Sequence, residues 1–223
     1  MDQSTTAQAS SSTIVLLWAD TFATSLTKPG AKGIKSPSTG AIVDTKALAQ
    51  MMIAVPLAAL HTSGAIRLEQ FSKKSFGFLA SNGVNVVVVG EVPPGGRVEE
   101  RIAKSKKARE KGESVADLVM AALSRKPNPD GEVVQWGVDE AVKLGYMQRE
   151  GAGGLRGMTG ATTVTPNAER IEETRARAAG LADSWLTFRD GNPELATALR
   201  MAIGSGIDAR RSKSDLDERD VEG

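Results

Sequence analysis

The chain has 223 residues, 28 basic against 27 acidic side chains, and no cysteine. That length suits one domain with a full core, and the balanced charge gives no global electrostatic case for nucleic acid. The lack of cysteine excludes disulfides, thiolate zinc sites and a cysteine nucleophile. His61 is the only histidine, and its place at the end of an apolar run reads as a capping or core role.

The first stretch, MDQSTTAQASSS, holds no Lys or Arg, and the apolar run after it, Ile14–Ala19, is short. That is a poor signal peptide. Residues 1–12 read as disordered and the chain as cytoplasmic. TIVLLWADTFATSL, Thr13–Leu26, predicts a first helix with Ser12 or Thr13 as its cap. Lys28–Gly40, rich in Pro, Gly and Ser, predicts an exposed loop.

Asp44–Gly64, DTKALAQMMIAVPLAALHTSG, is the stretch around which the rest is expected to pack. Apolar residues fall on every side of its helical wheel, as in a helix buried all round. A bilayer span needs about 20 apolar residues, more than this run supplies. Asp44 is placed to cap its start, Pro56 to remove one ladder bond, and Gly64 to close it in a left-handed turn.

The period then changes. Ala65–Gln70, Ser75–Ala80 and Val84–Val89 read as three short antiparallel strands, with Ser81-Asn82-Gly83 as a hairpin turn. Pro93, Pro94, Gly95 and Gly96 stop the sheet. Arg97–Lys111 predicts a charged, solvent-facing helix, positive in its second half. Ser114 opens another helix, with Ser114 and Asp117 at capping-box spacing. Lys126–Gly131 reads as a turn, Glu132–Leu144 as a helix closed by Gly145, and residues 146–150 and 161–164 as strands around a glycine-rich tip, Gly151–Gly160. Thr165-Pro166 starts a helix to about Leu186, in which Trp185 and Phe188 read as core. Asn192-Pro193-Glu194 starts another, to Gly204 or Gly206. From Asp208 onward charges alternate and apolar residues nearly vanish, so 208–223 reads as a disordered tail. The fold class expected is mainly α with short antiparallel β-hairpins, a single domain over 13–207.

Taken in order, these parts resemble the GPP34 family, the Golgi phosphoprotein 3-like proteins. The resemblance covers about Ile14–Ile207 and rests on the hydrophobic helix ending in Gly before a strand (ALAQMMIAVPLAALHTSGAIRLE), the Ser-begun helix (SVADLVMAAL), the helix closing on Gly with a strand (GVDEAVKLGYMQRE) and the helix NPELATALRMAI. It implies a mostly helical domain, peripheral on cytosolic membrane surfaces, binding phosphatidylinositol 4-phosphate and the cytosolic tails of partner proteins. The family's eukaryotic members use a Trp and an Arg near the start of the central helix and further Arg residues before the second Gly. Here Val43–Ile53 contains neither Trp nor Arg, and Gly131–Trp136 contains no Arg.

The functional expectation is therefore a non-enzymatic module for anionic membrane lipid, without cofactor or metal. Protein partners and a homo-oligomer are compatible with it. Lys73, Lys74, Lys104, Lys106 and Lys107 are the candidate lipid-binding residues, on the ground that basic clusters are attracted to anionic surfaces. The alternative is a winged-helix nucleic-acid binder, through Arg149 and Arg156 in the wing. Its recognition helix, EVVQWGVDEAVKL, carries three acidic residues against one Lys, a charge that repels phosphate; nucleic acid is not the expected partner. No carboxylate pair, metal-ligand spacing or nucleophile elbow marks an active site.

Overall fold

A computed structural model describes residues 8–26, 33–75, 79–124, 126–149 and 164–219, with backbone alone at 73–75, 79–82 and 213–219. The chain is mainly helical with a few short antiparallel strand pairs. Its elements in order are α1 (Ser11–Leu17), α2 (Ala19–Phe22), β1 (Ile34–Lys35), β2 (Ile42–Val43), α3 (Thr45–Thr62), β3 (Ile66–Ser75), β4 (Leu79–Val88), α4 (Arg97–Lys104), α5 (Lys106–Glu110), β5 (Glu113–Ser114), α6 (Val115–Ala122), α7 (Pro129–Lys143), β6 (Met147–Arg149), β7 (Val164–Pro166), α8 (Ala168–Glu172), α9 (Arg175–Gly191) and α10 (Pro193–Arg219).

The all-round apolar helix is α3, and it lies at the centre. Helices α1, α7, α9 and α10 and strand β3 all pack on it, and Leu48, Met52, Ile53 and Leu57 are fully buried. The Asp44 carboxylate accepts from Ala47 N–H at 2.7 Å and caps the start. Gly64, at φ +77°, closes the end, with Ala65 N–H donating to Leu60 C=O at 3.0 Å. Pro56 has no N–H, so the Met52 carbonyl loses its helical partner. The Ser12 hydroxyl donates to that carbonyl at 2.7 Å, in a buried contact from α1. His61 is structural: Leu68 N–H donates to its Nδ1 at 3.4 Å, and its ring meets the Phe188 ring edge-on at 5.7 Å.

Several expectations are corrected. The first helix is two, because Trp18 leaves helical geometry at φ −115°, ψ 42° while its indole N–H donates to Thr174. Residues 8–12 of the stretch expected to be disordered are placed: Ser11 starts α1, and Ala9 and Ser10 are buried, with Ser10 held by Glu140. The three strands expected between 65 and 89 are two long ones, β3 and β4, and Asn82-Gly83 is no turn. The register Ile66↔Val88 carries Gly83 opposite Phe71. The Phe71 ring lies over Gly83, where a Cβ would come 2.5 Å from Cζ; an aromatic ring covering a cross-strand glycine is a recognised way to fill that gap. Short β5 completes the sheet in the order β3-β4-β5.

The single helix expected over Arg97–Lys111 breaks at Ser105. That side chain accepts from Ala108 N–H, capping α5, and donates to buried Glu113. Ser114 makes no side-chain cap; its backbone pairs with Asn85 in the sheet instead. Helix α7 starts three residues earlier than expected, capped by Asn128 with Pro129 at its first position. The helix expected to begin at Thr165-Pro166 is α8 and α9, split at Thr174, whose hydroxyl turns back to Ile171 C=O. Strands β6 and β7 pair antiparallel, but β7 takes in Thr165 and Pro166, expected to start the next helix, and Asn167 is the cap of α8 instead; the tip Gly151–Gly160 lies outside the described residues.

The largest difference is at the C-terminus. Helix α10 runs on to Arg219, through most of the tail that reads as disordered. Arg210 donates to the Leu123 and Ser124 carbonyls at the end of α6, and Arg211 pairs with Asp130 and Asp208. These tertiary ties supply what the tail's composition lacks. No helix among the described residues is long and apolar enough to cross a membrane.

Candidate functional site

Helix α10 is amphipathic in the usual way. Ala196, Leu199, Ile203 and Ile207 are buried at helical spacing, which turns Thr197, Arg200, Met201 and Ser205 outward. The outward ridge separates two depressions beside the first turns of α3. One, of about 230 Å³, is walled by Phe22, Ala47, Met51 and Trp185 and carries Arg189 and Arg200. The other, of about 360 Å³, carries Lys46, Gln50, Arg200 and Asp208. Arg200 lines both.

The electrostatics of these depressions differ residue by residue. Arg200 has no hydrogen-bond or ion-pair partner among the described residues. Among the described residues Arg189 pairs, at 2.8 Å, with Asp190 alone, its own neighbour in the chain. Lys46 lies 3.5 Å from Asp208, both half exposed, and Asp208 is shared with Arg211 at 2.7 Å. A guanidinium with no internal partner, set between aromatic and aliphatic walls, offers its fork of N–H donors to an incoming oxyanion. The Asp44 cap occupies the nearby start of α3, so that helix terminus is not itself the anion site.

The sequence-predicted residues lie elsewhere. Lys104 ends α4, while Lys106 and Lys107 start α5; all three are exposed. Lys104 faces Glu100 at 3.5 Å and Lys107 faces Asp117 at 3.7 Å, so two of the three charges have a carboxylate beside them. Lys106 has no such neighbour among the described residues. Lys73 and Lys74 belong to β3, opposite Ser81 and Ala80, and their side chains are outside the description. In the wing, Arg149 pairs with Asp139 of α7, and α7 itself packs on α1, α3 and α10; Arg156 lies outside the described residues.

One more cluster bears on chemistry. Glu140 accepts from Ser10 N–H at 2.7 Å, from its hydroxyl at 2.7 Å, and from the Thr13 hydroxyl at 2.9 Å. Glu99 stands near it, 4% exposed, with Oε2 unpartnered. Burial first, and then the Glu140 charge, push the Glu99 carboxyl up to about 7, against the pull of the Glu99 and Gly96 backbone N–H groups. Both carboxyls belong to the packing between α1, α4 and α7. No group of three or more His, Cys, Asp or Glu able to hold a metal occurs among the described residues.

No family model, curated protein or solved structure matches the chain. The residues that line the cleft were not singled out by sequence reasoning. Lys46, Arg189 and Arg200 lie on three helices, and only their packing brings them together. The one signal available in the sequence was the polar i, i+3, i+4 face of the last helix.

Proposed function

We propose that this chain is a non-enzymatic module that docks on anionic membrane surfaces, of the kind the GPP34 resemblance suggests. The phosphorylated headgroup is taken in the clefts on either side of Arg200. The observation that carries the reading is Arg200 itself, unpaired among the described residues, beside the start of the central helix with Trp185 and Phe22 in the wall. In the GPP34 pattern a Trp and an Arg come from near the start of the central helix and further Arg residues from the helix before the second Gly. Here Trp185 and Arg189 come from α9 and Arg200 from α10, around the same helix end. Arginine suits the role because its planar fork matches phosphate oxygens in pairs. A few basic residues, each contributing about 1 kcal/mol near a charged surface, give reversible attachment.

The test is flotation with vesicles of phosphatidylcholine alone and with added phosphatidylinositol 4-phosphate, at low and high salt. The expected result is flotation with the anionic vesicles only, weakened by salt, and lost in the Arg189→Glu, Arg200→Glu variant. Equal flotation of that variant excludes the cleft, and no flotation of the native chain removes the lipid reading.

A further inference from the structure

We propose that Met201 is an insertion anchor: it enters the acyl layer of an anionic bilayer while Arg200, its neighbour in the chain, stays at headgroup level. This rests on the membrane-docking reading above and adds how the docked state is held.

Among the described residues three large apolar side chains are exposed, Val89 at 59%, Leu186 at 42% and Met201 at 69%. Met201 is the most exposed of them and the only one beside the basic cleft. It lines the 360 Å³ depression that carries Lys46 and Arg200. It also lines a larger cleft of about 720 Å³ formed with Phe71, Pro193, Glu194, Thr197 and Ala198. It therefore stands between the cationic hollow and a neighbouring cleft lined, among the described residues, by no basic side chain. An apolar residue flanked by cations on one outward helix face is the pattern of interfacial membrane binding. Such a face suits a bilayer because the cations reach the phosphate level while the apolar group goes deeper. Methionine, unbranched and flexible, fits irregular apolar surroundings such as lipid chains.

The acidic residues on the same ridge do not cancel this. Asp208 is held by Lys46 and Arg211. Glu194, two helical turns from Met201, lines the 720 Å³ cleft and not the hollow that carries Lys46 and Arg200.

The experiment compares the native chain with Met201→Ser, Met201→Glu and Met201→Leu. Two readouts are used: flotation with phosphatidylcholine vesicles containing phosphatidylinositol 4-phosphate, and calorimetric titration with the soluble headgroup, inositol 1,4-bisphosphate. Met201→Ser and Met201→Glu should lose vesicle affinity by roughly ten-fold or more, the scale set by burying one large apolar side chain. Met201→Glu, which sets a carboxylate beside Arg200 in the 360 Å³ depression, should weaken both readouts; Met201→Ser, which adds no charge, should lose far more vesicle affinity than soluble-headgroup affinity, and Met201→Leu should keep both. The Ser variant separates lost insertion from charge repulsion. Unchanged flotation of Met201→Ser overturns the anchor and leaves the headgroup reading standing. Loss of soluble-headgroup binding in Met201→Ser also overturns it, since the side chain then belongs to the headgroup contact. A native chain that binds neither vesicle nor headgroup overturns the docking reading and the anchor with it.

Discussion

Replacing Glu99 by Gln should stabilise this protein at pH 8 and leave it unchanged at pH 4. Glu99 is 4% exposed, its Oε2 has no partner, and its carboxyl is held up at about 7 against an ordinary 4.5. A carboxyl whose folded pKa is raised favours the folded state in its protonated form. That stability is complete below the unfolded pKa and is lost as pH rises from about 4.5 to 7. The gap from 4.5 to about 7, at 1.36 kcal/mol per pH unit, corresponds to roughly 3 kcal/mol between the two ends of the window. Gln keeps the shape and an acceptor for the Gly96 end of α4 but carries no charge, so it removes the loss. Urea unfolding of both proteins at pH 4, 6 and 8 isolates the effect of Glu99 and its coupling to Glu140, because titrating groups that do not interact with Glu99 cancel in the difference. The expected difference is near zero at pH 4 and about 3 kcal/mol in favour of Gln at pH 8. Parallel pH profiles, or a less stable Gln variant at pH 8, would refute the reasoning.

Three further outcomes are expected. Ser12→Ala should cost about 1–3 kcal/mol in urea unfolding, because the Met52 carbonyl freed by Pro56 is left buried without a donor; a cost below about 0.5 kcal/mol would mean that water replaces the hydroxyl. Gly206→Ala should cost about 1–3 kcal/mol, since its Cβ would stand 2.6 Å from the Ala116 carbonyl where α10 crosses α6; an unchanged midpoint would show that the crossing opens freely. Lys106→Glu with Lys107→Glu should leave vesicle flotation largely intact, because the cleft at Arg200 is the proposed contact; its abolition would move the contact to α4 and α5.

The central rod was legible because a helix that is apolar on every side has only one stable place, the interior. Its caps Asp44 and Gly64 were legible too, as was Gly145 at the end of α7, since all three act through local backbone geometry and both glycines adopt positive φ. The hairpin was not, because register is decided across the sheet. Asn82-Gly83 has turn chemistry, yet the pairing of Ile66 with Val88 carries it into a strand under Phe71. The end of the chain misled for a similar reason. Its alternating charges suggest disorder, but Arg210 and Arg211 find carbonyls and a carboxylate on α6 and α7, far back in the chain. The candidate site was hidden in the same way. A lysine run such as 104–107 is visible as a cluster in sequence, whereas Lys46, Arg189 and Arg200 become neighbours only through the packing of α9 and α10 on α3.

The most direct measurement is hydrogen exchange of the native chain, free and bound to vesicles containing phosphatidylinositol 4-phosphate. Slowed exchange should appear at the start of α3, the last turns of α9 and α10 between Pro193 and Asp208. Protection confined to α4 and α5, or none anywhere on the chain at saturating lipid, would contradict the account.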